Sequence, residues 1–131
     1  MKLITRDTDY AIRALCYMAR EKNKLVSVSE LVDQTCIPKP FLRKILQILN
    51  KKGMLKSYKG IGGGFQLKVI PQEMSLLDLI QIFQGPFQIS EHTFKNKICP
   101  HTKRCRLKKK IDIIEKSVIS ELKKITLASL I

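Results

Sequence analysis

The chain has no tryptophan, three tyrosines and five phenylalanines, so it offers few platforms for stacking single-stranded bases. Acids are scarce as well: 11 aspartates and glutamates stand against 25 lysines and arginines, a formal charge of +14. That imbalance points away from cationic partners and toward a polyanion, nucleic acid first and an anionic membrane surface second. No apolar run approaches the roughly 18 residues that cross a bilayer. The opening Met1-Lys2-Leu3-Ile4-Thr5-Arg6-Asp7 meets charge too early for a secretory signal. The expectation is a soluble, cytoplasmic protein with no membrane partner. Cys16, Cys36, Cys99 and Cys105 would then be reduced, which disfavours a disulfide framework and leaves metal or thiol chemistry. Enzyme signatures are missing too. Counted from Gly60, the last glycine of a dinucleotide fingerprint would fall on Phe65, no Walker lysine follows, and neither a nucleophile elbow nor an HExxH is present. At 131 residues the chain is one domain, or one with an appendage, without space for a separate catalytic module. Its 44% apolar content is enough for a packed core.

Helical periodicity starts early. Tyr10, Ala11, Ala14, Leu15, Met18 and Ala19 form one stripe, with Asp7 or a neighbour as cap and Asn23-Lys24 as the end. Ser27-Val28-Ser29-Glu30 reads as a reciprocal capping box, stapled by Val26 and Leu31, and opens a short second helix. Ile37-Pro38-Lys39-Pro40 breaks it, and a third helix is predicted from Pro40. In that helix Leu42, Ile45, Leu46 and Leu49 face inward while Arg43, Lys44, Gln47 and Lys51 face outward, with Gly53 as the stop.

Two strands are expected next, Met54 to Tyr58 and Phe65 to Val69, joined by a glycine-rich tip. Ser75 and Asp78 signal a fourth helix that carries Leu76, Leu79, Ile80 and Phe83 inward and ends at Gly85-Pro86. Residues 87–106 lack periodicity and read as a loop. A last helix is expected from about Leu107 to about Ala128, with a near-heptad seam of Leu107, Ile111, Ile114, Val118, Leu122 and Ile125. Dimerisation through that seam is the preferred reading, and packing back on its own domain is the alternative.

This order is that of a winged helix-turn-helix: mainly α with a small β-hairpin wing, plus a long C-terminal dimerisation helix. The expected division is a DNA-binding domain over 1–86, a cysteine-bearing sensor loop over 87–106 and the dimerisation helix over 107–131. A helix fits the major groove of duplex DNA, and a thin hairpin can follow the backbone or enter the minor groove. Between Cys36 and Ile70 lie eight basic residues and no acid, whereas ordinary surfaces mix both signs. Lys39, Arg43, Lys44 and Gln47 are therefore candidate DNA contacts, to base edges or to phosphates. Lys59 at the hairpin tip suits a narrow, negative minor groove. Gly62, Gly63 and Gly64 would let the backbone approach sugar-phosphate, since three consecutive glycines exceed what a turn requires.

The segment Lys59-Gly60-Ile61-Gly62-Gly63-Gly64-Phe65-Gln66-Leu67 resembles the R-G-x-G-G-G-Y-x-L wing of the iron–sulfur-cluster regulator family, which includes IscR-like, NsrR-like and CymR-like transcription factors. Met1-Lys2-Leu3, Asp9-Tyr10-Ala11, Phe41-Leu42 and the pair Cys99 and Cys105 resemble the same family in order along the chain. The resemblance implies a homodimer bound to a pseudo-palindromic operator, most simply as a repressor. Lys59 takes the place of the wing's arginine, and Lys2 touches phosphate. It also implies an iron–sulfur cluster on loop cysteines, of which the first two match Cys99 and Cys105 while Ile111 stands where the third belongs. His101 and Asp9 are the remaining candidate ligands. The alternatives are a thiol switch at Cys99 and Cys105, beside Lys103, Arg104 and Arg106, or a cluster-free regulator controlled by a protein partner. An RNA- or ribosome-associated winged helix is the competing function.

Overall fold

The computed structural model describes residues 2–22, 24–90, 93–94, 97–98 and 104–131. Helix α1 spans Arg6–Arg20 and buries Ala11, Ala14, Leu15 and Met18 of the expected stripe, with Tyr10 and Ala19 half-buried. Its cap residue is Thr5, whose side chain makes no capping bond. Gln84 takes that role from a distance, its Oε1 accepting from the Thr5 N–H at 3.0 Å and from the Thr8 hydroxyl at 2.7 Å.

Helix α2 covers Val28–Thr35, and the Ser27 hydroxyl accepts the Glu30 N–H at 3.1 Å. The expected return bond from Glu30 is not made. Its carboxylate instead accepts the Tyr17 hydroxyl at 2.8 Å and lies 3.5 Å from Lys24 Nζ. A phenol that donates to a carboxylate holds its proton more tightly, and Tyr17 is pushed up to about 12. Cys36 caps α2 in the left-handed region, at φ 58°.

Helix α3, Lys39–Lys51, opens one residue before the expected Pro40, which takes the second helical position. Proline is tolerated there because the first amides of a helix have no intrahelical partner. Leu42, Ile45, Leu46 and Leu49 are fully buried, each worth about 1.5–3 kcal/mol of apolar transfer. Strands β1 (Leu55–Tyr58) and β2 (Gly64–Leu67) pair antiparallel with Leu55 opposite Leu67 and Tyr58 opposite Gly64. They are shorter than expected. Val26 adds a rung, exchanging two 2.8 Å backbone bonds with Phe65. The hairpin is thus fixed to the segment that leads into α2.

Helix α4, Leu76–Gln84, has the complete capping box that α2 lacks: Ser75 Oγ accepts the Asp78 N–H at 3.2 Å, and Asp78 Oδ2 accepts the Ser75 N–H at 3.0 Å. Beyond it, residues 87–106 are not wholly a loop. Strands β3 (Thr93–Phe94) and β4 (Lys97–Ile98) form a second small hairpin, too short to leave a periodicity in the sequence. Helix α5 runs over Arg106–Lys124 and stops short of Ala128, because Thr126 bridges to Ser75 and a 3-10 turn at Leu127–Leu130 follows.

The chain end returns to the core. Leu127 is buried with the α1 and α3 side chains, and its N–H donates to the Met74 carbonyl at 2.8 Å. The seam of α5 divides in two. Leu122, Val118 and Ile125 pack against Leu76, Leu77 and Ile80 of α4. Ile111 is half-buried, and Leu107 and Ile114 remain 69% and 51% exposed, with Ile113, off the seam, at 63%. The architecture is the predicted one: helices with a two-stranded wing, in winged helix-turn-helix order. Among the described residues no helix is long and apolar enough to cross a membrane.

Candidate nucleic-acid interface

Burial of the inward row fixes which way α3 faces. Lys39, Arg43, Lys44, Gln47 and Lys51 are all exposed on the opposite side. Lys39, Arg43 and Gln47 fall at four-residue steps, a line about 12 Å long at the helical rise. None of Lys39, Arg43, Lys51, Lys52, Lys59 and Lys68 makes an ion pair among the described residues. Lys44 does: its Nζ lies 3.7 Å from Asp7 Oδ2. The stretch is free of acid along the sequence, but packing of α1 on α3 brings an acid to it. Lys44 is largely exposed and Asp7 half-buried, so the pair is worth about 0–1 kcal/mol and leaves Lys44 able to exchange partners.

Two further residues join this face without a signal in their own neighbourhoods. Arg6 places its guanidinium 4.3 Å from the Phe41 ring centre, a cation–π contact, and Tyr10 stands 6.4 Å from the same ring. The amino ends of α1 and α3 therefore abut. Lys2 is exposed just ahead of them, on an arm held by the Gln84 amide donating to the Leu3 carbonyl at 3.2 Å.

The wing carries Lys59 on its exposed tip, and its glycines have internal reasons. Gly60 and Gly62 sit at φ 94° and 77°, where side chains are strained. A Cβ on Gly63 would run into the Tyr58 carbonyl oxygen, and one on Gly64 into the Val26 carbonyl oxygen. The expectation that three consecutive glycines exceed a turn's needs is therefore corrected: the turn and the Val26 rung use all of them. Next to the tip, Tyr58 donates to Gln66 Oε1 at 3.1 Å and has Lys56 Nζ 5.2 Å from its ring centre.

The candidate metal ligands fare differently. Cys99 and His101 lie outside the described residues. Asp9 Oδ2 is 3.0 Å from Arg13 Nη2. Cys105 caps α5, its sulfur accepting the Lys108 N–H at 3.4 Å. Ile111, at the third family cysteine position, is a half-buried residue of α5. Among the described residues no group of three or more His, Cys, Asp or Glu is placed to hold a metal ion. Cys16 is buried, and burial pushes its thiol up against a weaker downward pull from Arg20.

Known proteins place this geometry. An HTH-type transcriptional regulator of Aquifex aeolicus is 38% identical over 79 residues, 60% of this chain but only 55% of that protein's length. Protein aau3 of Rhizobium meliloti is 31% identical over 105 residues, 79% of this chain and 68% of its own. The solved structure of CymR, the global cysteine regulator of B. subtilis, superposes with a TM-score of 0.77 at 21% identity, covering 99% of this chain and 96% of that one. IscR of T. potens gives 0.74 at 22% identity, over 99% and 85%. At such identities these two structures establish the fold alone. The Rrf2 family model, described as an iron-dependent transcriptional regulator, matches residues 4–131. Since every helix and both hairpins fall within that match, the chain belongs to the Rrf2 family of transcriptional regulators, not to a family of enzymes.

Proposed function

We propose that the chain is a homodimeric, sequence-specific DNA-binding regulator that represses by occupying a pseudo-palindromic operator. The observation that carries this reading is the row of exposed cations on α3, of which Lys39, Arg43 and Lys51 make no ion pair among the described residues, beside a hairpin tipped by Lys59. In this reading α3 lies in the major groove. Arg43 and Gln47 face base edges, with arginine suited to guanine and glutamine to adenine. Lys39, Lys44 and Lys2 hold phosphates, which fix register without reading sequence. Lys59 and the backbone of Gly62, Gly63 and Gly64 follow the adjoining minor groove. A second copy, joined through the open half of α5, places the same elements on a half-site about 34–36 Å away.

The cysteine-bearing stretch is the sensory element of this proposal. Of the four candidate ligands Asp9 and Cys105 are described; Arg13 engages Asp9, and among the described residues no three donors converge. No step is therefore routed through iron. A thiol response at Cys105 acts directly on the first turn of α5, which its sulfur caps. Iron, sulfide and zinc analysis of protein purified without oxygen separates a cluster from a thiol.

Salt dependence tests the DNA reading. The logarithmic affinity should fall steeply with salt, and Lys59→Ala should lower the slope by about 0.9 for each phosphate that the lysine neutralises. An unchanged slope would show that Lys59 does not touch the DNA backbone.

A further inference from the structure

We infer that Ile61 is a minor-groove contact that distinguishes A·T from G·C pairs by steric and solvation exclusion; the inference deepens the DNA-binding proposal above and rests on it. Four of the five residues from Gly60 to Gly64 are glycine, so Ile61 is the only side chain within that stretch, next to Lys59. The Gly63 N–H donates to the Gly60 carbonyl at 3.0 Å, and Gly62 takes φ 77°. Those two features define a type II turn with Ile61 at its first inner position. The side chain there is fully exposed.

Turn chemistry favours proline or small polar residues at such a tip, and water does not favour a branched aliphatic one. The glycines on either side obey the turn's rules; Ile61 fits the turn's backbone, but its apolar side chain stands in water with no packing in return. A single local conflict inside an otherwise consistent segment is the mark of a position set by function. Apolar side chains, isoleucine among them, are the ones that minor-groove proteins press against base steps.

Groove chemistry supplies the selectivity. The minor groove is about 6 Å wide, and a hairpin tip trimmed to glycine is thin enough to enter it. On its floor A·T and T·A pairs show only acceptors, whereas G·C adds the exocyclic amino group of guanine. Isoleucine packs against sugar edges and the C2–H of adenine. Over guanine it covers that amino group, which loses its water and gains no acceptor. Lys59 is drawn to a narrow, negative groove whatever its floor carries; Ile61 reads the floor itself.

The test uses the full chain. A preferred duplex is first selected from a random pool, and the A·T pairs protected by the wing are replaced by G·C and by inosine·C. Inosine keeps guanine's major-groove acceptors and lacks the minor-groove amino group. Wild type should bind G·C about tenfold more weakly than A·T and recover on inosine·C. Ile61→Ser should lose about tenfold on the A·T duplex and rank all three alike, with an unchanged salt slope, while Ile61→Leu keeps the ranking. Equal affinity and ranking for Ile61→Ser and wild type, or a wild type that treats inosine·C as G·C, overturns the inference and leaves the DNA-binding reading standing. A wild-type chain that selects no duplex sinks both.

Discussion

Gly64 sits where the second wing strand passes the Val26 carbonyl, and a methyl group there would overlap backbone that has no rotamer to change. Gly64→Ala should therefore cost about 1–3 kcal/mol, in the range of overpacking against an unyielding neighbour. Urea unfolding reads this as a lower midpoint at unchanged slope. A wild-type midpoint would mean that β2 is not seated on Val26. The demand on Gly64 is illegible in the sequence, because Val26 is remote along the chain and the glycine run already looks like a turn. The same distance hides the acid beside Lys44: Asp7 belongs to another helix, and only packing brings it to 3.7 Å. Glu30 shows the converse. Its spacing from Ser27 predicts a reciprocal cap, but Tyr17 from α1 competes for the carboxylate and holds it at 2.8 Å. Local pattern assigns these residues to the right elements and does not say which tertiary partner they meet.

Helices and wing are more legible than their ends. The inward row of α3 follows from spacing alone, since Leu42, Ile45, Leu46 and Leu49 recur at helical period and every one is fully buried. With that row fixed, the outward placement of Lys39, Arg43 and Gln47 follows from geometry. The end of α5 does not follow, because Ile125 continues the apolar period while Thr126 leaves the helix to bridge Ser75. The hairpin of β3 and β4 has strands of two residues, below the length at which alternation can register. Capping gives the clearest test at this scale. Ser75 both donates and accepts in its box, and α4 carries residues of both cores. Ser75→Ala should lower stability by about 1 kcal/mol, measured by chemical denaturation. No loss would mean that Asp78 holds the start of α4 unaided.

For the whole molecule the consequential surface is the open half of α5. Leu107 and Ile114, a heptad apart on one face, stay exposed on a helix whose other half is already packed, and joining two copies there would bury them. Replacing Leu107 and Ile114 together by aspartate should give a monomer by sedimentation. Folding should survive, because neither side chain belongs to a core cluster. Operator affinity should fall with loss of the second half-site, and an unchanged dimer would move the interface elsewhere. The anchoring of Leu127 sets what such a pair can do. With its carboxyl end pinned beside Met74, in the core that also seats α3, α5 would act in the proposed dimer as a lever whose fulcrum lies beside the proposed DNA-reading helix. A few degrees of tilt at the Cys105 end would then swing one reading head relative to its twin, changing the stride between half-sites without disturbing either grip.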